Sequence, residues 1–174
     1  MPLKSTLLVA AALLLAPPAT AKPEAGPSDA EIAHIAYTAG QIDIAAAKQA
    51  LAKTRNAEVR GFAEVMLRDH QAVEAKALDL VKKLGVTPAD NGTSQALAKQ
   101  AAATSQKLAA LEGAEFDRAY MRNEAAYHAT VNGALKSTLI PSADNAELKA
   151  LLETGVALFG EHQKHAEALA AQLK

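Results

Sequence analysis

The chain has 174 residues, a length typical of a single domain, and a formal net charge of −1 at pH 7. Half of its residues are hydrophobic, only 3% are aromatic, and none is cysteine. The absence of cysteine excludes a disulfide scaffold, a thiolate metal site and a cysteine nucleophile, and the near-zero charge gives no sign of nucleic-acid binding. Because alanine is the most frequent residue and aromatic residues are scarce, the composition favours helices over sheets.

The first 21 residues have the layout of a secretory signal peptide. One positive charge, Lys4, precedes an apolar stretch from Leu7 to Ala16, and an Ala-x-Ala sequence ends at Ala21. A retained membrane anchor is the alternative, but the apolar stretch has ~10 residues where a spanning helix needs ~20. We therefore expect residues 1–21 to be cleaved, the mature chain to reach the bacterial periplasm, and no stable membrane insertion to remain.

Helical signals follow one another along the rest of the chain. Residues 22–27 form a short tail, and the box Ser28-x-x-Glu31 is typical of a helix N-terminus. Gly85 is typical of a helix C-terminus, and a second capping box runs from Asp144 to Glu147. The pattern predicts helices over 29–54, 57–84, 93–111 and 114–138, and from the second box to about 173. Because four helices are long and one is short, we expect residues 28–174 to form an all-α, four-helix bundle with an additional short crossover helix.

Each long helix places at least one ionisable side chain on the apolar stripe that is expected to face the core. Burying a charge costs several kcal/mol unless the charge is paired or binds a metal. Its repetition on all four helices therefore indicates a common centre. The candidate residues are Asp43 on the first long helix, His70 on the second, Asp117, Glu124 and His128 on the third, and His162 on the fourth, with His165 at its flank.

The heights of these residues along the bundle predict which of them can meet. At a rise of ~1.5 Å per residue, four of them lie at one level within about a helical turn. The other three lie nearer one end, and a shift of one turn would merge the two sets. The middle group is Asp43, His70, Glu124 and His128, and the upper group is Asp117, His162 and His165.

Imidazole and carboxylate ligands without thiolates are typical of zinc, iron or manganese sites. A structural polar network without metal is the alternative. In that interpretation Asp43 pairs with His70, and Asp69 is either solvated or holds His70 from outside.

Two short motifs resemble a known family. Phe62-Ala-x-x-Met66-x-x-Asp69-His70 is followed by Phe116-Asp117-x-x-Tyr120, then by His128 and His162. This order is similar to that of domain-of-unknown-function family 4142, bacterial exported proteins that are often labelled outer membrane proteins. The resemblance covers about residues 28–173. It implies a ferritin-like four-helix bundle and no settled activity.

The sequence departs from the di-iron pattern of ferritin-like proteins, in which two helices each carry Glu-x-x-His. Here the spacings are His70-x-x-x-Glu74 and Glu124-x-x-x-His128, and Asp43 stands where a Glu is expected. The departure argues against oxygen-activating di-iron chemistry. A histidine-rich mixed site suits zinc at least as well.

The sequence therefore predicts a periplasmic ferritin-like bundle that binds a divalent metal ion and serves in metal storage, buffering or stress protection. One alternative is an enzyme, either a di-metal oxidase or a catalase-like peroxide scavenger. Another is a non-catalytic interaction module of the cell envelope with a metal-free polar core. The sequence pattern does not determine the oligomeric state, and a homo-oligomer is compatible with it.

Overall fold

The computed structural model describes residues 26–173, so the predicted signal peptide (1–21) and residues 22–25 of the predicted tail lie outside the described residues. Within this range there are helices and no strands. A π-helical turn, Leu135–Leu139, joins the fourth helix to the fifth. The α-helices are α1 (Asp29–Lys53), α2 (Ala57–Leu84), α3 (Gly92–Ala109), α4 (Gly113–Ala134), α5 (Ile140–Ser142) and α6 (Ala146–Gln172).

The helix ends follow the capping residues closely. Ser28 and Glu31 form the predicted capping box at the start of α1, and Gly85 ends α2 with a φ of 64°. The prediction for the last helix was wrong in detail, because Asn145 is the N-cap of α6 and its side chain accepts from two backbone N–H groups. Asp144 is engaged elsewhere, since its N–H donates to the carboxylate of Asp29 at 3.0 Å. This bond ties the start of α6 to the start of α1.

The four long helices form the bundle. α1 packs on α2, α4 packs on α6, and further contacts join α2 to α6 and α1 to α4. The shorter α3 crosses over and packs mainly against α1, with a smaller contact to α4. The chain is thus an all-α helical bundle of four long helices with a short crossover helix, as predicted.

The polar candidates lie between two apolar cores. On α1, for example, Ile32 and Ile35 belong to one core and Ala47 and Ala50 to the other, with Asp43 between them. The same order holds on α4 and α6. The core that contains Ala47 and Ala50, here called the first core, also includes Val59, Phe62, Met66, Phe116, Tyr120, Met121 and Leu169. The core that contains Ile32 and Ile35, here called the second core, also includes Leu135, Leu139, Leu148 and Leu152.

The end of α4 differs from the expected regular helix over 114–138. A π-helical turn replaces its last part and leads into the short α5, which contains Pro141. Proline has no N–H to donate to the carbonyl four residues earlier, so the regular α-helical ladder cannot continue through it. Leu135 and Leu139 of the π-helical turn are both buried in the second core.

None of the helices in residues 26–173 combines the length and the apolar character needed to cross a bilayer.

Candidate metal centre

Five ionisable side chains from all four long helices converge between the two cores. α1 supplies Asp43, α2 supplies His70, α4 supplies Glu124 and His128, and α6 supplies His162. None of them is more than 4% exposed to solvent. Each lies on the apolar stripe of its helix, and packing of that stripe carries the polar group into the interior.

The three imidazole rings form an almost equilateral triangle. Their centroids are 5.7 Å apart for His70 and His128, and 5.5 Å apart for each of the other two pairs. One ligand atom of each ring lies within 4.8 Å of the others. Ligand nitrogens around a tetrahedral ion with bonds of ~2.0–2.1 Å are ~3.4 Å apart, so the rings would have to close by little more than an ångström.

A second group overlaps the first. Asp43, Glu124 and His128 also bring one ligand atom each within 4.8 Å of one another. His128 belongs to both groups, so the centre offers an all-nitrogen face and a mixed face that share one imidazole. Such a donor set fits zinc, iron or manganese and contains no soft sulfur ligand.

A backbone hydrogen bond fixes the tautomer of His128. Its Nδ1 lies 3.0 Å from the carbonyl oxygen of Glu124. A carbonyl oxygen can only accept, so Nδ1 carries the proton and Nε2 keeps its lone pair. That Nε2 atom is buried without a hydrogen-bond partner within the described residues.

A carboxylate fixes the tautomer of His162. Its Nε2 lies 3.0 Å from Oδ2 of Asp69. Asp69 also accepts from Nε of Arg68 at 2.8 Å, and these two partners lower the pKa of its carboxyl against the opposing effect of burial. The carboxylate is therefore ionised, His162 donates through Nε2, and Nδ1 keeps the lone pair. Metal-ligating histidines are commonly oriented by carboxylates in this way.

Asp69 makes a contact that was not predicted from the sequence. It was expected to be solvated or to hold His70, its neighbour in the sequence, but it holds His162 of another helix instead. Its position at the edge of the α2 stripe was the available signal.

His70 lies at the middle of the centre, and no group in residues 26–173 makes a hydrogen bond to its ring. Its Nε2 is 3.5 Å from Oδ2 of Asp43, and both ring nitrogens are buried without a hydrogen-bond partner. The ring of Phe159 stacks on it with a centroid distance of 4.9 Å and an interplanar angle of 5°. Stacking fixes the plane of the imidazole and leaves its nitrogens free.

The imidazoles are neutral at physiological pH. Burial lowers the pKa of His70 to about 3 and that of His128 to about 4. Burial also lowers the pKa of His162, although Asp69 opposes the shift. Neutral imidazole is the form that binds metal ions.

Burial favours the protonated form of the two carboxyls. Burial raises the pKa of Glu124 to about 8. Burial and the facing Glu124 raise the pKa of Asp43 well above its usual range. At neutral pH at least one proton therefore stays with the pair, and an incoming cation would displace it.

Unpartnered polar atoms are concentrated in this centre. Of the eleven buried side-chain nitrogen and oxygen atoms without a hydrogen-bond partner in residues 26–173, seven belong to the five converging residues. Each such atom costs about 1–3 kcal/mol if nothing satisfies it. The cluster is thus expected to be completed by a ligand.

The structure does not bring all the predicted residues together. His162 was placed in an upper group with Asp117 and His165, but it lies with the middle group. Asp117 is buried and outside both groups. His165 is exposed, with its ring edge-on to Phe62 at a centroid distance of 5.3 Å. The height estimate could not resolve a shift of one helical turn, which separates these arrangements.

Comparisons with known proteins place the chain in a family. No curated protein matches it. A solved structure of a DUF305 protein from Streptomyces coelicolor, described as a candidate secreted protein, superposes with a TM-score of 0.70 and 14% sequence identity. The match covers 83% of this chain and 93% of that one, and at this identity it shows the fold alone. The model of the family "Domain of unknown function (DUF4142)" matches residues 14–169. Because this match spans most of the chain, the protein belongs to the DUF4142 family.

Proposed function

We propose that the protein binds a divalent transition-metal ion at the buried centre and serves in metal storage, buffering or stress protection in the periplasm. The observation that carries the proposal is the cluster of seven unpartnered buried atoms on Asp43, His70, Glu124, His128 and His162. Three of the residues present neutral nitrogen lone pairs, and zinc, iron and manganese are the ions that suit this mixed set.

A metal-free polar network explains the centre less well. Two of the three imidazoles already donate their only proton away from the centre, to the carbonyl of Glu124 and to Asp69. Their remaining nitrogens can only accept. The donors left in the centre are one N–H of His70 and the protons of the two carboxyls, and these are fewer than the three imidazole nitrogens and the carboxyl oxygens that accept. A cation satisfies all of these acceptors at once.

The test is elemental analysis of the exported protein, purified without chelator. We expect near-stoichiometric metal in the wild type and strongly reduced metal in His70→Ala and His128→Ala. His34→Ala is the matched control, because His34 lies outside the centre, 3.8 Å from Asp90. Unchanged metal in the two site variants, with their helical circular dichroism preserved, would contradict the proposal. A wild type that holds no metal and cannot be loaded would favour the interaction module.

A di-metal enzyme is the second candidate, and the two carboxyls of the mixed group, Asp43 and Glu124, favour it, because a carboxylate has two oxygens and can bridge two ions. Two ions bridged by shared ligands could turn over peroxide or ferrous ion. This candidate requires iron or manganese at two per chain and peroxide turnover that Glu124→Gln abolishes. A protein that contains only zinc and does not turn over peroxide would exclude the di-metal enzyme.

A further inference from the structure

A large apolar cavity reaches the metal centre. Its volume is about 920 Å³, and its lining runs from the surface to His70 and Asp43. Between these ends the walls are mostly aliphatic and come from all five of the longer helices, α1, α2, α3, α4 and α6, and from the π-helical turn. Cavities of ~300–1,000 Å³ with few polar groups are typical of sites for small organic molecules. Wall residues include Ile35, Val73, Val131, Leu135, Leu139 and Leu152.

The mouth of the cavity is apolar too. In the described part of the chain, Tyr37 and Leu78 are the two large apolar side chains that remain exposed, at 40% and 48%. Both line the cavity, one from α1 and one from α2. Side chains that are both exposed and part of the lining stand where the cavity opens to solvent, so an apolar ligand would meet apolar surface on entering.

The π-helical turn shapes the inner wall. Leu135, Thr138 and Leu139 of this turn all line the cavity. Such turns interrupt a regular helix and are frequent at functional sites. Here the turn contributes two aliphatic side chains, Leu135 and Leu139, to the wall of the cavity.

The charge of the walls limits which ligands fit. The lining contains the carboxyls of Glu31, Asp43 and Glu74, and among the described residues no lysine or arginine lines the cavity. Glu31 already accepts hydrogen bonds from Ser28, and Glu74 accepts one from Gln41. An anionic ligand would therefore find no cation in these walls to offset the loss of its hydration, whereas an uncharged ligand needs no opposite charge.

We propose that the cavity binds an uncharged, largely apolar alcohol or phenol, with its hydroxyl group directed to His70 and Asp43 at the inner end. The hydroxyl can donate and accept, and both residues present buried atoms without partners there. The inference rests on the proposed function in one respect, because the organic ligand would reach the same centre that is proposed to bind the metal ion. Binding of the hydroxyl itself requires only the cavity and these two side chains.

The test compares probes that share one apolar body, 2-naphthol and the anion 2-naphthoate. The chain contains no tryptophan, so naphthol fluorescence reports binding without protein background. With metal-stripped exported protein at pH 7, we expect one molecule of 2-naphthol per chain and at least tenfold weaker binding of 2-naphthoate. Equal affinity for the two probes, or several naphthols per chain, would overturn the proposal.

Two matched pairs of variants locate the site. Gly40 lines the cavity, and a side chain added there meets no atom within 4 Å, so Gly40→Leu should fold and obstruct the space. Gly133→Leu is its control, since Gly133 is exposed and outside the lining. Ala77→Phe, at the cavity wall, has the control Ala75→Phe on the exposed side of α2. We expect at least tenfold weaker naphthol binding in the first member of each pair alone.

Metal content separates failure of this inference from failure of the proposed function. Neither Gly40→Leu nor Ala77→Phe removes a candidate ligand, so both should keep the metal of the wild type. Naphthol binding that the cavity variants weaken supports the inference even in a protein that holds no metal. Metal retained with naphthol binding that these variants leave unchanged overturns the inference alone.

Discussion

Nε2 of His162 on α6 donates to Oδ2 of Asp69 on α2 at 3.0 Å, and this bond directs the other nitrogen of His162 towards the centre. The neighbouring residue His70 enters the same centre from α2 with its own nitrogens unpartnered. Two adjacent residues of α2 therefore have different roles. Asp69 orients the imidazole of His162 on α6, whereas His70 places its own imidazole in the centre. Outer carboxylates of this kind orient metal-ligating histidines and raise their basicity.

Asp69→Asn tests that orienting role. The amide would not hold the imidazole as the ionised carboxylate does, so we expect metal affinity to fall by about 10–100-fold with little change in helical content. Competition with a chromogenic chelator measures the affinity. The control is Asp79→Asn, the same change at an exposed position of α2. Equal affinities for the two variants would show that Asp69 does not support a ligand.

The overlap of the two ligand groups predicts an order of severity among variants. His128 belongs to both groups, His70 only to the nitrogen group and Glu124 only to the mixed group. We expect His128→Ala to remove the most metal, His70→Ala less and Glu124→Gln least, because an ion on the three imidazoles keeps all its protein ligands in the last case. Elemental analysis measures the order. Loss of metal in Glu124→Gln with retention in His70→Ala would place the ion on the carboxylates.

Much of this arrangement could be predicted from the sequence. The helix limits follow from Ser28, Glu31 and Gly85, because capping and left-handed backbone are local properties. Asp43 and His70 could be assigned to the interior because a periodicity of 3.6 residues fixes the face of a helix on which a side chain lies. Both steps require only neighbours in the sequence.

The remaining features depend on how the helices are set against one another. Sliding α6 along its axis by one turn moves its residues by ~5.4 Å, which is enough to bring His162 to the level of His128 on α4. The bond from His162 to Asp69 depends on the packing of α6 beside α2. The cavity is formed by several helices and by the π-helical turn. Its size depends on how these elements pack, which the hydrophobic periodicity of a single helix does not predict.

Metal binding should stabilise the fold. A ligand that binds only the folded chain at 100 times its dissociation constant contributes about 2.7 kcal/mol, and for a domain of this size that corresponds to about 5–11 °C in Tm. We expect chelator-treated protein to melt lower by this amount and to recover when the metal is restored, by differential scanning calorimetry. His70→Ala should melt at the same temperature with and without metal. If the wild-type Tm is the same with and without metal, the centre is held together by its own hydrogen bonds instead.

The metal-free protein should lose stability as the pH rises above 6.5. Burial raises the pKa of Glu124 from 4.5 to about 8 and raises that of Asp43 as well, so the folded chain holds protons that the unfolded chain releases. Stability therefore falls with rising pH across this window. The three histidines of the centre have lowered pKa values and act in the opposite direction, but only below their usual value of 6.5. Above pH 6.5, the two carboxyls are therefore the groups of the centre that make stability depend on pH.

We therefore expect the Tm of the metal-free wild type to fall by several degrees between pH 6.5 and 8.5, measured by circular dichroism in buffers of constant ionic strength. The double variant Asp43→Asn with Glu124→Gln has no carboxyl to ionise at the centre and should show a much smaller change. Metal-loaded protein should show the reverse trend, because binding requires the ligands to lose their protons and tightens as they do. A metal-free Tm that rises over this range would contradict the assignment of buried, protonated carboxyls to the centre.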